Sequence, residues 1–355
     1  MKIRNAIAVG AVAGLLFAGG LAQAETIKMT MASSHPPVVA WVAALKDHVV
    51  PQSNILLKEA GSSVTIEWTE AYAGSLYKFQ DTLEAVEEGI TDVGWVGTLW
   101  ENSKMPLQNI TYNTPFVSDD LPTVMKVMND LHDKMPELTQ AWTNHNQIYL
   151  GASGIETYHV FSTTPIRTFE DLAGKKFMAA GAVGSWLRGT GAVPVDGGLP
   201  VYYNNIKTGV ADGALISMSG GFPFKLHEVA PYITKVSLGA QYTGGMAMNL
   251  DTWKSLPPDV QGVFKTLGRE YSVVHSEKLM QLANVFEQKM VEAGATVIEF
   301  PAAERKKWAD ALPDIGGDWM RNLDASGLPA KKFLQAYLDE MTAAGAAPPV
   351  NWLNK

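Results

Sequence analysis

The chain contains no cysteine. Disulfides, thiolate metal sites and a lipid-anchoring cysteine are all excluded, so an apolar core must carry the fold. Long tracts of Lys or Arg are missing as well, and the formal net charge is -8. Nucleic acid and anionic membrane surfaces are therefore poor partners. Motifs of common chemistries are also absent: there is no HExxH, no GxSxG elbow, no GxxxxGKS/T phosphate loop and no GxGxxG after a strand. The seven histidines stand singly, and His35 and His227 have no second ligand at a metal-binding spacing. No cofactor or metal is expected. Beyond the N-terminus, no stretch approaches the ~18 uninterrupted apolar residues of a membrane helix.

What is present begins with a leader. Lys2 and Arg4 precede an apolar run from Ala6 to Leu21, which ends in Ala22-Gln23-Ala24, the small-x-small pattern cut by signal peptidase. Residues 1–24 are read as a signal peptide, with a retained membrane anchor as the alternative. Export without disulfides suits a periplasmic protein of ordinary size. The remaining length allows two domains at roughly 150 residues each, and 46% hydrophobic residues supply core for both.

The segment VYYNNIKTGVADGAL, Val201 to Leu215, echoes TLEAVEEGITDVGWV, Thr82 to Val96. Each runs from a helix-like stretch to a glycine (Gly89, Gly209), a β-branched residue, a small residue and an aspartate (Asp92, Asp212). Glycine tolerates the left-handed position that ends a helix, and the residues after it start a strand. Two copies point to two similar α/β lobes. Asp92 and Asp212, at strand starts, are expected to bond backbone rather than ligand, and Asp119-Asp120 to cap the helix that follows.

Strands are expected at 26–32, 64–69, 93–96, 147–153, 157–162, 176–179, 193–195, 214–217 and 241–249. Helices are expected at 38–57 with a break near Pro51, and at 79–88, 121–134 and 200–207. From Pro257 to about Glu292 the pattern is a single helix of about 50 Å, too long for one lobe. Helices around Trp308 and from Phe333 to Met341 form a covering layer.

The leader, TIKMTMASSHPP, YAGSLYKFQDTLEAVEEGITDVGW, TPFVSDD, FEDLAGKKF, GAVPV and the helix after WKSLPPDVQ occur in an order that resembles the solute-binding proteins of tripartite ATP-independent periplasmic (TRAP) transporters. The resemblance covers essentially the whole mature chain. It implies a two-lobed α/β periplasmic binding protein with crossing strands and one long helix spanning both lobes. It further implies a solute enclosed between the lobes, no enzymatic step, and delivery to small and large membrane permease subunits. The lobes are drawn as 25–150 plus about 240–275, and 151–239 plus about 276–355 with the C-terminal helices.

This sequence departs from the family pattern where family members meet an acid. The arginine after the strand that follows DLxGxK is replaced by Met178, the basic residue of a GxR pattern by Glu156, and an asparagine after the second echo by Ile216. A carboxylate facing Glu156 without a guanidinium would meet repulsion and uncompensated desolvation. Aromatic residues are plentiful on the segments expected to face the cleft: Trp41, Tyr72, Tyr77, Trp95, Trp100 and Phe222, with His35 beside them. One reading is therefore a small amine or ethanolamine-like amino alcohol, its ammonium held by Glu156 and an aromatic wall. The other is an aromatic or bulky acid packed on the same rings and held by Arg188, Arg167 or a Ser or Tyr hydroxyl. A secreted two-lobed enzyme, or a receptor feeding a sensor, remain as alternatives of another class.

Overall fold

The computed structural model describes residues 25–78 and 80–355; the expected leader and Phe79 lie outside them. Among the described residues eleven strands form two sheets. They are β1 (Glu25–Ala32), β2 (Val64–Ala71), β3 (Val93–Gly97), β4 (Gln147–Ile155), β5 (His159–Ser162), β6 (Lys176–Met178), β7 (Val193–Val195), β8 (Gly213–Ile216), β9 (Tyr232–Lys235), β10 (Gln241–Asn249) and β11 (Thr296–Glu299). The first sheet runs β2-β1-β3-β10-β4 and the second β7-β6-β8-β5-β9-β11. In each, three parallel strands adjoin an antiparallel one, β10 in the first sheet and β5 in the second.

The repeated phrase is the repeated unit of this symmetry. Gly89 and Gly209 end equivalent helices at φ +70° and +76°, where only glycine avoids a Cβ clash. The chain then enters β3 and β8. Asp92 accepts the Thr30 amide of neighbouring β1 at 2.7 Å and the Thr252 hydroxyl at 2.7 Å. Asp212 accepts the Lys176 amide at the start of β6 at 2.8 Å. Both aspartates thus fix the register of a parallel pair, as their place at a strand start suggests. Asp120 instead accepts the Thr123 hydroxyl at 2.5 Å, and no side-chain bond caps that helix backbone.

Two segments cross between the sheets: Glu156-Thr157-Tyr158 from β4 to β5, and residues 236–240 from β9 to β10. Arg305 braces the second crossing, donating to the Val236 carbonyl at 3.1 Å and the Ser237 carbonyl at 2.8 Å while its guanidinium lies 4.9 Å from the Phe116 ring centroid. The helix Pro258–Glu292 has 35 residues, about 52 Å at 1.5 Å each. It packs on β4 of the first sheet and on the short helix Met218–Gly221 of the second lobe. Its approach to β4 depends on facing glycines: a Cβ on Gly151 would lie 1.8 Å from the Gly268 carbonyl oxygen.

Several sequence expectations shift. The break near Pro51 becomes a π-turn, Leu45–Val49, inside a helix that continues to Glu59; the wider turn accommodates the amide that proline lacks. Strands β9 and β11 and the helices Pro136–Thr143 and Ile315–Ala325 have no counterpart in the sequence reading. The lobe limits move too. β4 stays in the first sheet to Ile155, beyond the limit drawn at residue 150. The C-terminal helix Ala330–Ala343, drawn with the second lobe, packs on Leu121–Lys134 of the first, because Phe333, Leu334, Tyr337 and Met341 bury one apolar stripe there.

Candidate ligand-binding cleft

The parallel strands of both sheets deliver their carboxyl ends to one place, where open α/β sheets bind ligands. β1 leads into Ser33, Ser34 and His35, and the His35 amide donates to the Ser33 hydroxyl at 3.1 Å. β3 carries Trp95 and ends before Leu99 and Trp100, and β8 ends on Ile216. His35, Trp95, Leu99, Trp100 and Ile216 are thereby brought to line one cavity between the lobes.

One wall is an aromatic cluster from the first lobe. The His35 ring lies 5.7 Å from Trp41, 4.9 Å from Trp95 and 6.1 Å from Trp100, and Trp95 lies 5.8 Å from both Trp41 and Trp100, centroid to centroid. The Trp95 indole is held by donation to the Ser153 hydroxyl at 2.9 Å, which ties β3 to β4 across β10. The opposite wall carries Tyr112, Tyr158 and Tyr202 with Val183, Leu199 and Ile216. The Tyr112 and Tyr158 hydroxyls stand 3.4 Å apart, and Trp186 locks this wall by donating its indole to the Tyr112 carbonyl at 2.7 Å.

Electrostatically the lining carries no fixed positive charge among the described residues. No Lys or Arg is among the lining residues. Burial lowers the His35 pKa to about 3, so the imidazole is neutral at physiological pH. Burial also raises all three tyrosine phenols above their ordinary value, leaving them as neutral hydroxyls. Arg167 and Arg188, considered as anchors for an acid, are both solvent-exposed and line no part of the cavity.

Of the residues singled out from sequence, Trp41, Trp95, Trp100, His35 and Ile216 line the cavity. The other five do not. Glu156 is 2% exposed and turned into the protein, accepting the Ser219 amide and hydroxyl, each at 2.7 Å. Burial holds its carboxyl above the ordinary carboxylate range, and the Ser219 donors pull the other way. Met178 is buried, its sulfur accepting the Asn205 side-chain amide at 3.6 Å. Tyr77 packs on Ala32 and Ala85. Tyr72 is half-buried just past β2, and Phe222 stacks on Phe286 of the long helix at 4.7 Å. The tyrosine wall escaped the sequence reading. Tyr112 and Tyr158 carry no motif, although Tyr158 lies in the first crossing segment and Tyr202 sits inside the echoed phrase. Among the described residues no cluster of His, Asp and Glu could hold a metal ion, and no helix is long and apolar enough to cross a membrane.

Two sheets joined by crossing segments around a cavity between them have the architecture of a two-lobed binding protein. The sequence model of the bacterial extracellular solute-binding protein family 7 matches residues 56–318, and the chain belongs to that family. Its fold and family are those of TRAP solute receptors, not of enzymes. It is 24% identical over 259 residues to the C4-dicarboxylate-binding periplasmic protein DctP of Vibrio cholerae serotype O1, covering 71% of this chain and 75% of that one. A TRAP solute-binding protein of Rhodoferax ferrireducens in complex with copurified benzoate superposes with a TM-score of 0.78 at 17% identity, covering 89% of this chain and 98% of that one. A marine metagenome TRAP solute-binding protein specific for aromatic acids, with 3-hydroxybenzoate, gives 0.78 at 18%, covering 90% and 99%.

Proposed function

We propose that this receptor captures a small amine or amino alcohol in the periplasm and presents it, lobes closed, to a TRAP permease. The observation that carries the reading is the wall of aromatic faces with no Lys or Arg in it. An ammonium within ~6 Å of such faces gains about 0.5–2 kcal/mol per ring, more as water is excluded. A carboxylate would find only neutral donors there and keep much of its desolvation cost. Because the Glu156 oxygens are engaged by Ser219, the cation is held by the rings themselves. This favours a methylated ammonium such as choline over one that must place three N–H donors. Capture is a population shift: the ligand touches both lobes and so favours the closed form, with no covalent step.

A second reading, an aromatic acid, draws on the aromatic-acid ligands of the two structural neighbours. It would rest on the Tyr112, Tyr158 and Tyr202 hydroxyls. A thermal-shift panel of ethanolamine, choline, benzoate and 3-hydroxybenzoate separates the two. Ligand at ~100 times its dissociation constant adds about 2.7 kcal/mol to the folded state. Stabilisation by benzoate with none by either amine would overturn the amine reading.

A further inference from the structure

We propose that Glu101 and Asp196, one from each lobe, form a cation-selecting entrance to the cleft, a role that rests on the amine reading above. A second compartment opens outward from the aromatic cavity and shares Leu99, Trp100, Ala180 and Gly198 with it. Its polar lining residues are Gln80, Glu101, Asn102 and Asp196. A solute reaching the rings by this route crosses a compartment lined by both carboxylates.

The charge around this mouth is lopsided. Glu101 is only 7% exposed, and its partner is Lys104, whose ammonium lies 3.6 Å from Glu101 Oε2 and is shared with Glu84. Asp196 takes the Gly181 amide at 3.1 Å and is solvent-exposed. Three carboxylates thus stand against one ammonium, and neither compartment is lined by Lys or Arg. Burial holds the Glu101 carboxyl above its ordinary range, with Lys104 opposing; an arriving cation would supply the compensation that Lys104, divided between two acids, does not.

A cleft lined by one sign of charge and walled by low-dielectric side chains focuses its field and accelerates encounter with the opposite charge, and two carboxylates place this case at the low end, up to about 10-fold at low salt. With a Debye length of ~10 Å at 0.1 M, most of the effect vanishes at a few hundred millimolar. The carboxylates therefore act on the association rate. The dissociation rate is set by the inner rings.

Stopped-flow tryptophan fluorescence is suited to this, because Trp41, Trp95 and Trp100 surround the cavity. The probes are choline and its neutral isostere 3,3-dimethylbutan-1-ol. For the intact mature protein, choline association at 10 mM salt should exceed that at 500 mM by about 3- to 10-fold. Glu101→Gln with Asp196→Asn should remove most of that excess and leave dissociation within about twofold. The isostere should associate equally with both proteins. Asp196→Asn alone, at an exposed site with no packing role, keeps the test readable should the double variant lose stability. Choline binding with identical salt dependence in wild type and variants overturns the entrance and leaves the amine reading standing. A wild type that binds benzoate and neither choline nor ethanolamine overturns both.

Discussion

Removing the Glu156 carboxylate separates a ligand contact from a structural brace. In Glu156→Ala the Ser219 amide loses the acceptor it has in Glu156, and the Ser219 hydroxyl is left to the Ser217 hydroxyl at 3.3 Å, in a site where Glu156 is 2% and Ser219 6% exposed. An orphaned buried amide costs about 1–3 kcal/mol, the weakened hydroxyl adds to this, and relief of the buried charge returns part of it. The net loss should be about 1–4 kcal/mol, a fall of roughly 2–8 °C in Tm at about 2 °C per kcal/mol for a chain this long. Glu156→Gln keeps an acceptor for the Ser219 amide and offers N–H groups to a hydroxyl that can rotate, so it should cost under about 1 kcal/mol at pH 7.

The pH dependence then identifies the cause. Burial raises the folded-state pKa of Glu156 above its ordinary value of 4.5, so the native state binds that proton more tightly. Its contribution is fully present below the unfolded pKa and is lost as pH rises through the folded value. The Tm of wild type minus that of Glu156→Gln should therefore fall between pH 4 and pH 8. Calorimetry across that range, with choline titrations at pH 7, is the assay. A flat difference, or a tenfold loss of choline affinity without loss of stability, would refute the assignment of Glu156 to the hinge and return it to the ligand.

Three further outcomes are expected. Trp100→Ala, at a partly exposed ring, should weaken choline about 2- to 30-fold by calorimetry, the equivalent of one cation–π face; an unchanged affinity would remove that ring from the wall. Gly151→Ala forces a methyl to within 1.8 Å of the Gly268 carbonyl oxygen, so thermal melts should show a loss of about 3 kcal/mol or more as the long helix is pushed off β4; native stability would mean that the two elements separate freely. Arg305→Met preserves side-chain length but strands the Val236 and Ser237 carbonyls; urea unfolding should register about 1.5–3 kcal/mol, and small-angle scattering a wider spread of lobe angles.

Much of the fold was legible because it rests on local rules. The Gly89 and Gly209 turns, the aspartates behind them and the start and end of the long helix follow from backbone sterics and periodicity that any neighbourhood would respect. Strands β9 and β11 were not legible. Each is four residues long, and the partners that make them strands are distant in sequence. The C-terminal helices were legible as helices, but not the lobe that they cover. An apolar stripe states that it will be buried, not against what.

The cleft divides in the same way. Sequence by itself determined its inventory: rings in abundance, no cysteine, and Met178 and Glu156 where the family resemblance led a basic residue to be expected. Only the tertiary structure decided which of those side chains share a cavity. It set His35, Trp41, Trp95 and Trp100 face to face with Tyr112, Tyr158 and Tyr202 by bringing strand ends from two sheets together, and it turned Glu156 inward onto Ser219. The reason is physical. A side chain's type is fixed by its own codon, whereas its direction is settled by whichever partner satisfies its charge or hydrogen bonds most fully, and for Glu156 that partner is 63 residues away.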